Sequence, residues 1–205
     1  MPLQEVKSEI RGIESYAVGG TPGDSVIMAI NLLAKDKFDL AVSGINNGPN
    51  LGVDIFQSGT VGGAMQAFLH GLPAIAVSVD AIDHPDNSIA ARFIAILAEK
   101  MQDEAGGKKY LLNVNVPATT LQAINGVKTT RFITSELSDV VEEGHDGRRH
   151  YYWLKYKKSP VKISRVTDAW AVTHGYISIT PLHKLLFGQN QPSLNGHFSE
   201  LLKDL

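Results

Sequence analysis

Cysteine is absent from all 205 residues. That excludes disulfides, thiolate nucleophiles and cysteine-ligated zinc, and it fits a reducing compartment. Long apolar runs are missing too. No stretch approaches the roughly 20 residues of a membrane helix. Met1 to Arg11 alternate charged and apolar types without the apolar core of a signal peptide. The expectation is a cytoplasmic protein with no membrane partner. Charge of one sign is scarce: 19 basic residues face 21 acidic ones, for a net charge of −2. No overall field draws the chain to nucleic acid, and none is expected as a partner. No Walker sequence occurs, and no G-x-G-x-x-G follows a strand, so P-loop and dinucleotide readings have little support. Internal repeats and low-complexity tracts are absent as well.

What is present reads as an ordinary globular chain. Hydrophobic residues make up 43% and charged residues 20%, and the length can bury a full core. Ser15–Val18 is expected to end a first strand. Thr21 is placed to cap a helix, with Pro22 at its first position and Asp24 three residues after the cap. Val26, Ile30 and Leu33 then share one helical face. Phe38–Ser43 reads as a buried strand, Thr60–Leu69 as a helix, and Ala74–Val79 as a strand apolar on both faces. Ser88–Gln102 is helical, and Leu111–Val116 is a strand closed by Pro117. Strands alternating with helices imply a mostly parallel sheet with helices on both faces. The pattern then changes. Val127–Ile133 and Val161–Val166 read as strands flanking a charged segment, Ser135–His150, and the aromatic run Tyr151–Leu154. Gly175–Pro181 alternates like a strand, and Ser193 is placed to cap a short terminal helix. The expected organisation is an α/β body over 1–126, a β-rich arm over 127–166 suited to assembly, and a return to the body with a tail over 167–205.

The strongest chemical signal lies between Gly44 and Thr60. A strand runs into Gly44-Ile45-Asn46-Asn47-Gly48-Pro49-Asn50-Leu51-Gly52, and Ser58-Gly59-Thr60 opens the next helix. The connection is longer than the usual two to six residues or so of a βα loop. It is rich in Asn and Gly, and it places two hydroxyls at a helix start. Free backbone N–H groups, amide carbonyls and a helix N-terminus suit an anion and a hard cation. A ligand site beyond the carboxyl ends of parallel strands is the natural reading.

Other features weigh less. The Gly19–Asp24 turn reads as a cap. None of the seven histidines pairs with another at helical spacing, and His145 and His150 flank Arg148-Arg149 in an exposed loop. Arg148-Arg149 and Lys155–Lys158 have aromatic neighbours, but a charged hairpin surface explains them more simply than nucleic acid. Asp168, beside Trp170, is read as a turn or packing residue rather than a catalytic acid.

Four motifs together resemble a known family. They are Gly20-Thr21-Pro22-x-Asp24, Val42-Ser43-Gly44-Ile45-Asn46-x-Gly48-Pro49-Asn50-Leu51-Gly52, Ser58-Gly59-Thr60-Val61 and Gly175-Tyr176-x-Ser178-Ile179-Thr180-Pro181-Leu182. In this order they resemble the SurE family, the stationary-phase survival proteins. The resemblance implies an α/β fold, a Rossmann-like three-layer sandwich with a mostly parallel sheet and a β-rich C-terminal extension. It implies a homodimer or homotetramer and a divalent metal, Mg²⁺ or Mn²⁺. The implied activity is phosphohydrolysis of nucleoside 5′-monophosphates, with 3′-nucleotides and short polyphosphate as further substrate classes. By the same resemblance Asn46 is a metal ligand, and Asn50, Ser58 and Thr60 bind the phosphate of the substrate.

The family's two consecutive metal-binding aspartates sit in an Asn-Asp-Asp-Gly segment, and no such segment occurs among these 205 residues. The segment carrying the family's metal-ligating Ser is not matched either. No catalytic residue is therefore assigned. The expectation is weak metal binding and slow turnover, because a hard cation needs anionic oxygen to offset its dehydration. The alternative is a non-catalytic anion-binding protein, or one completed by a partner. In the family that Asn-Asp-Asp-Gly segment ends the leading strand of the sheet, and a sheet without this strand is expected to show open strand edges and reduced stability.

Overall fold

The computed structural model describes residues 1–33, 38–81, 86–104, 110–132, 138–157 and 164–183. The expected helix at Ser193 lies outside them. Leu3–Val6 (β1) and Ser15–Val18 (β2) form an antiparallel hairpin, with Leu3 opposite Val18. It is a two-stranded sheet of its own. Pro22–Met28 (α1) begins as the sequence dictates. Thr21 Oγ1 accepts from the Asp24 N–H at 3.2 Å, and the Asp24 carboxylate accepts from the Thr21 N–H at 2.8 Å. The helix widens into a π-turn over Ala29–Leu33.

The strand expected at Phe38–Ser43 is Ala41–Asn47 (β3), so the first four residues of the polar segment are strand rather than loop. Gly44 permits this. Its φ is +136°, and a Cβ there would meet the Val77 carbonyl oxygen at 2.4 Å. Only glycine lets β3 come that close to its neighbour. Gly59–Leu69 (α2), Ala74–Val79 (β4), Ser88–Glu104 (α3) and Leu111–Val116 (β5) follow. After them come Gly126–Thr129 (β6), Ser138–His145 (β7), His150–Lys157 (β8), Asp168–Thr173 (α4) and Tyr176–Pro181 (β9).

The main sheet has the order β3-β4-β5-β9-β6. β3, β4 and β5 run parallel, β9 is antiparallel to β5, and β6 is parallel to β9. β6 thus belongs to the sheet of the body. The structure departs from the local pattern of this region at two places. The charged stretch Ser138–His145 is a strand, paired along its length with the aromatic strand β8 from Ser138↔Lys157 to His145↔His150. Residues 164–166 form a turn, not the end of a strand; residues 161–163 lie outside the described set.

β4 and β5 are buried throughout, as an apolar strand covered on both faces must be. Alternate residues divide between two cores. Ile75, Val77, Val79, Leu112 and Val114 pack with Ala90 and Ile94 of α3. Ala74, Ala76 and Leu111 pack with Val61, Ala64 and Ala67 of α2. Helices on the two faces of one sheet give the three-layer α/β architecture expected. β3 is the outer strand of the sheet, with β4 as its neighbour among the described residues. Val42 there is 48% exposed.

Candidate functional site

The α2 face of the sheet changes character along the strands. Its lower half is apolar: Ala74, Ala76 and Leu111. Toward the carboxyl ends of β4 and β5 it turns polar. Ser78 and Asn115 are register partners, and Asn113 and Asn115 oppose Thr180 and Ser178 of β9. All five are buried. Thr130 Oγ1 hydrogen-bonds both Ser178 Oγ (2.7 Å) and Thr180 Oγ1 (2.8 Å). A polar bed inside a core is tolerable only when its atoms find partners. The residue that satisfies much of it is Asn50.

Asn50 is 7% exposed and makes four hydrogen bonds downward. Its N–H donates to Asn115 Oδ1 (2.8 Å), and its Nδ2 donates to Ser78 Oγ (2.7 Å). Its backbone carbonyl accepts from Asn113 Nδ2 (2.8 Å) and Asn115 Nδ2 (3.0 Å). Asn113 and Asn115 lie outside every motif noted above, though the sequence carries a signal for them. Two Asn at alternate positions of an otherwise apolar strand were the signal, since they share one face and must be bonded there.

Two residues on, the Gly52 N–H donates to Asp168 Oδ2 at 2.8 Å. Asp168 is fully buried, and burial raises its pKa above the ordinary value, opposed by the N–H groups of Gly52 and Ala169. The chain then makes a 3₁₀ turn over Gly52–Phe56, with Ile55 in the core, and reaches Ser58.

Ser58 caps α2, its Oγ accepting from the Val61 N–H at 3.2 Å. Thr60, in the first turn, donates its hydroxyl to Asn46 Oδ1 at 3.2 Å. Asn46 Nδ2 donates to the Gly48 carbonyl at 2.7 Å. The carboxyl end of β3 and the start of α2 therefore meet through Asn46 and Thr60, with Ser58 beside them. Close packing of helix on strand allows this. Gly63 of α2 sits where a Cβ would lie 2.7 Å from Ser43 Oγ. Asn46 and Thr60 meet through their hydrogen bond, and Ser58, two residues before Thr60, caps the same helix. Asn50 lies beneath them, with its side-chain amide turned into the bed.

The donor set does not suit a hard cation by itself. Asn46 offers one neutral carboxamide oxygen, already shared with Thr60. Asn113 Oδ1, buried without a donor among the described residues, is neutral as well. No group of three or more His, Asp or Glu that could hold a metal ion occurs among the described residues. Mg²⁺ and Mn²⁺ favour carboxylate oxygen, so these residues do not make a cation site on their own.

The family model of the survival protein SurE matches residues 1–139. The chain belongs to the SurE family. A Dehalococcoides mccartyi (strain CBDB1) protein named 5′-nucleotidase SurE is 41% identical over 189 residues, covering 91% of this chain and 71% of the relative. A protein of the same name from Symbiobacterium thermophilum is 43% identical over 185 residues, covering 89% and 72%. The crystal structure of SurE protein from Aquifex aeolicus superposes with a TM-score of 0.76 at 31% identity, over all of this chain and 81% of that one. The SurE match and the α/β architecture agree with each other. No described helix of this SurE-family chain is long and apolar enough to cross a membrane.

Proposed function

We propose that this chain binds the phosphate of a nucleoside 5′-monophosphate at Asn46, Ser58 and Thr60, and that the reaction it serves is hydrolysis of that phosphomonoester to nucleoside and orthophosphate. The observation that carries the reading is the Thr60–Asn46 hydrogen bond. It joins a strand end to a helix start at the carboxyl edge of a parallel sheet, where ligands bind in open α/β folds. The relatives named 5′-nucleotidase SurE support the substrate class.

The chain's own groups account for phosphate binding. Ser58 Oγ accepts from Val61, which leaves its O–H to donate. Thr60 can turn its O–H from Asn46 to a phosphate oxygen. The N–H groups of the first turn of α2 lack intrahelical acceptors and carry the positive end of the helix dipole. Asn50, the third substrate-binding residue that the family resemblance implies, contributes in this proposal by fixing the backbone from below. Asn46 would add one oxygen to a divalent cation whose anionic ligands are not among the described residues. The second reading, anion binding without turnover, is favoured by the neutral donor set.

Calorimetric titration of the chain with AMP, and of its Ser58→Ala and Thr60→Ala variants, tests the site. The expected result is saturable binding that each variant weakens by about tenfold, the size of a lost hydrogen bond to a charged group. Unchanged affinity in both variants would reject the assignment. Orthophosphate release from AMP, with and without Mn²⁺, separates the two readings; a 3′-nucleotide run alongside tests selectivity. For the homodimer or homotetramer of the proposal, the surface is the β7–β8 hairpin. Val141, Tyr152 and Trp153 are each more than 60% exposed, an unusual apolar density for a monomer surface.

A further inference from the structure

Asp168 is placed more deliberately than a turn residue needs to be. It opens α4, but Thr167 already caps that helix, its Oγ1 accepting from the Trp170 N–H. The carboxylate is therefore free for other partners. It is fully buried, which is costly for a charge unless its oxygens are bonded. Each oxygen accepts one N–H: Oδ1 from Ala169 at 2.7 Å and Oδ2 from Gly52 at 2.8 Å. The second bond spans 116 residues of sequence. The Asp168 N–H donates to the Arg131 carbonyl at 3.0 Å, and the neighbouring Ala171 and Val172 are buried. The acid thus projects from a fixed base.

What it holds is the path to the phosphate site. Asn50 is tied to the strand bed and Gly52 to Asp168, two anchors two residues apart. From Gly52 the chain has no slack. The Asp54 N–H donates to the Leu51 carbonyl and the Gln57 N–H to the Asp54 carbonyl, each at 3.1 Å. Ser58 follows at once. We infer that Asp168 is a positioning residue of the phosphate site, fixing through the Gly52 N–H the segment that delivers Ser58 and Thr60. The inference rests on the function proposed above for those two residues.

The Asp168→Asn variant of the full chain provides the test, because an amide cannot accept at both oxygen positions. Two readouts are taken together: amide hydrogen exchange of peptides covering 50–58, and calorimetric affinity for AMP with Mn²⁺ present. The expected result is exchange about tenfold faster in that segment and AMP affinity about tenfold weaker. Peptides from β4 and β5 should exchange as in the parent chain, and Asp168→Glu, which keeps a carboxylate, should recover part of both effects. Unchanged exchange over 50–58 would overturn the inference. So would faster exchange spread equally through β4 and β5, or a variant that no longer folds, since either makes Asp168 a residue of global stability. Undiminished AMP affinity in a loosened loop would overturn it as well. If the parent chain itself fails to bind AMP, the proposed function fails, while the exchange measurement still decides whether Asp168 holds the loop.

Discussion

Two polar segments of this chain are held in opposite ways. Residues 48–60 are fastened by partners far away in sequence: Ser78 and Asn115 on the sheet, Asp168 on α4. The β7–β8 hairpin is fastened to itself. Its ladder runs from Ser138↔Lys157 to His145↔His150, its Glu142–Lys155 and Glu143–His150 pairs are internal, and its turn is closed by Asp146 accepting from the N–H groups of Arg148 and Arg149. The first arrangement fixes side chains relative to the core, which a binding site needs. The second leaves an apolar strand facing solvent, which an assembly surface can use.

The loop's anchoring to the sheet should fail most severely at Asn115. Replacing it with Ala removes the acceptor of the Asn50 N–H and one donor to the Asn50 carbonyl, both buried. A loss of about 2–4 kcal/mol is expected from groups left unsatisfied, read as a shift of the urea midpoint. A loss under about 0.5 kcal/mol would mean that the bed does not hold the loop. Next comes Ser58→Ala. The lost cap should cost about 1 kcal/mol, again by urea denaturation. Trp153→Ser lies at the other end of the comparison. With Trp153 63% exposed, chain stability should change by no more than about 0.5 kcal/mol. Sedimentation should nonetheless shift toward smaller species. An unchanged sedimentation profile would remove the hairpin as the proposed assembly surface.

The smallest effects concern pH, and two acids give opposite signs. Burial raises Asp168 above its ordinary 3.8, so the folded chain holds that proton more tightly than the unfolded chain. The stabilisation from this group is complete below 3.8 and is lost as pH rises through the raised folded value. Asp24 is held below 3.8, first by the Thr21 N–H and then by its hydroxyl. Its contribution is present above 3.8 and is lost as pH falls through the lowered value. Urea midpoints measured against pH should lose a falling slope above 3.8 in Asp168→Asn and a rising slope below 3.8 in Asp24→Asn. Slopes of the same sign would contradict the burial argument.

Much of this was legible in local pattern. The capping box at Thr21, Pro22 and Asp24, the start of α2 and the buried strands β4 and β5 follow from spacing and periodicity, because each is decided by neighbours in sequence. A ligand loop between β3 and α2 is suggested by a strand, a loop of small residues and a helix in that order; the bond from Thr60 to Asn46 is not. Less was legible where partners are remote. β3 runs four residues further than its apolar stretch because Gly44 admits the Val77 carbonyl, a neighbour 33 residues on. The charged β7 gave no alternating apolar signal, since its strand character comes from pairing with β8. Asp168 has the local signature of a turn or packing residue, because nothing near it in sequence reveals that Gly52 arrives at its carboxylate.

Residue order alone carries the family, the alternation of strands and helices, and the hydroxyls and amides at the helix start. These depend on residue type and short-range spacing. The tertiary structure alone decided that Asn50 faces a bed of Ser78, Asn113 and Asn115, and that a buried carboxylate on α4 ties down the same loop. A hydrogen bond between residues 116 positions apart has no local signature; it exists only once the sheet brings its ends together.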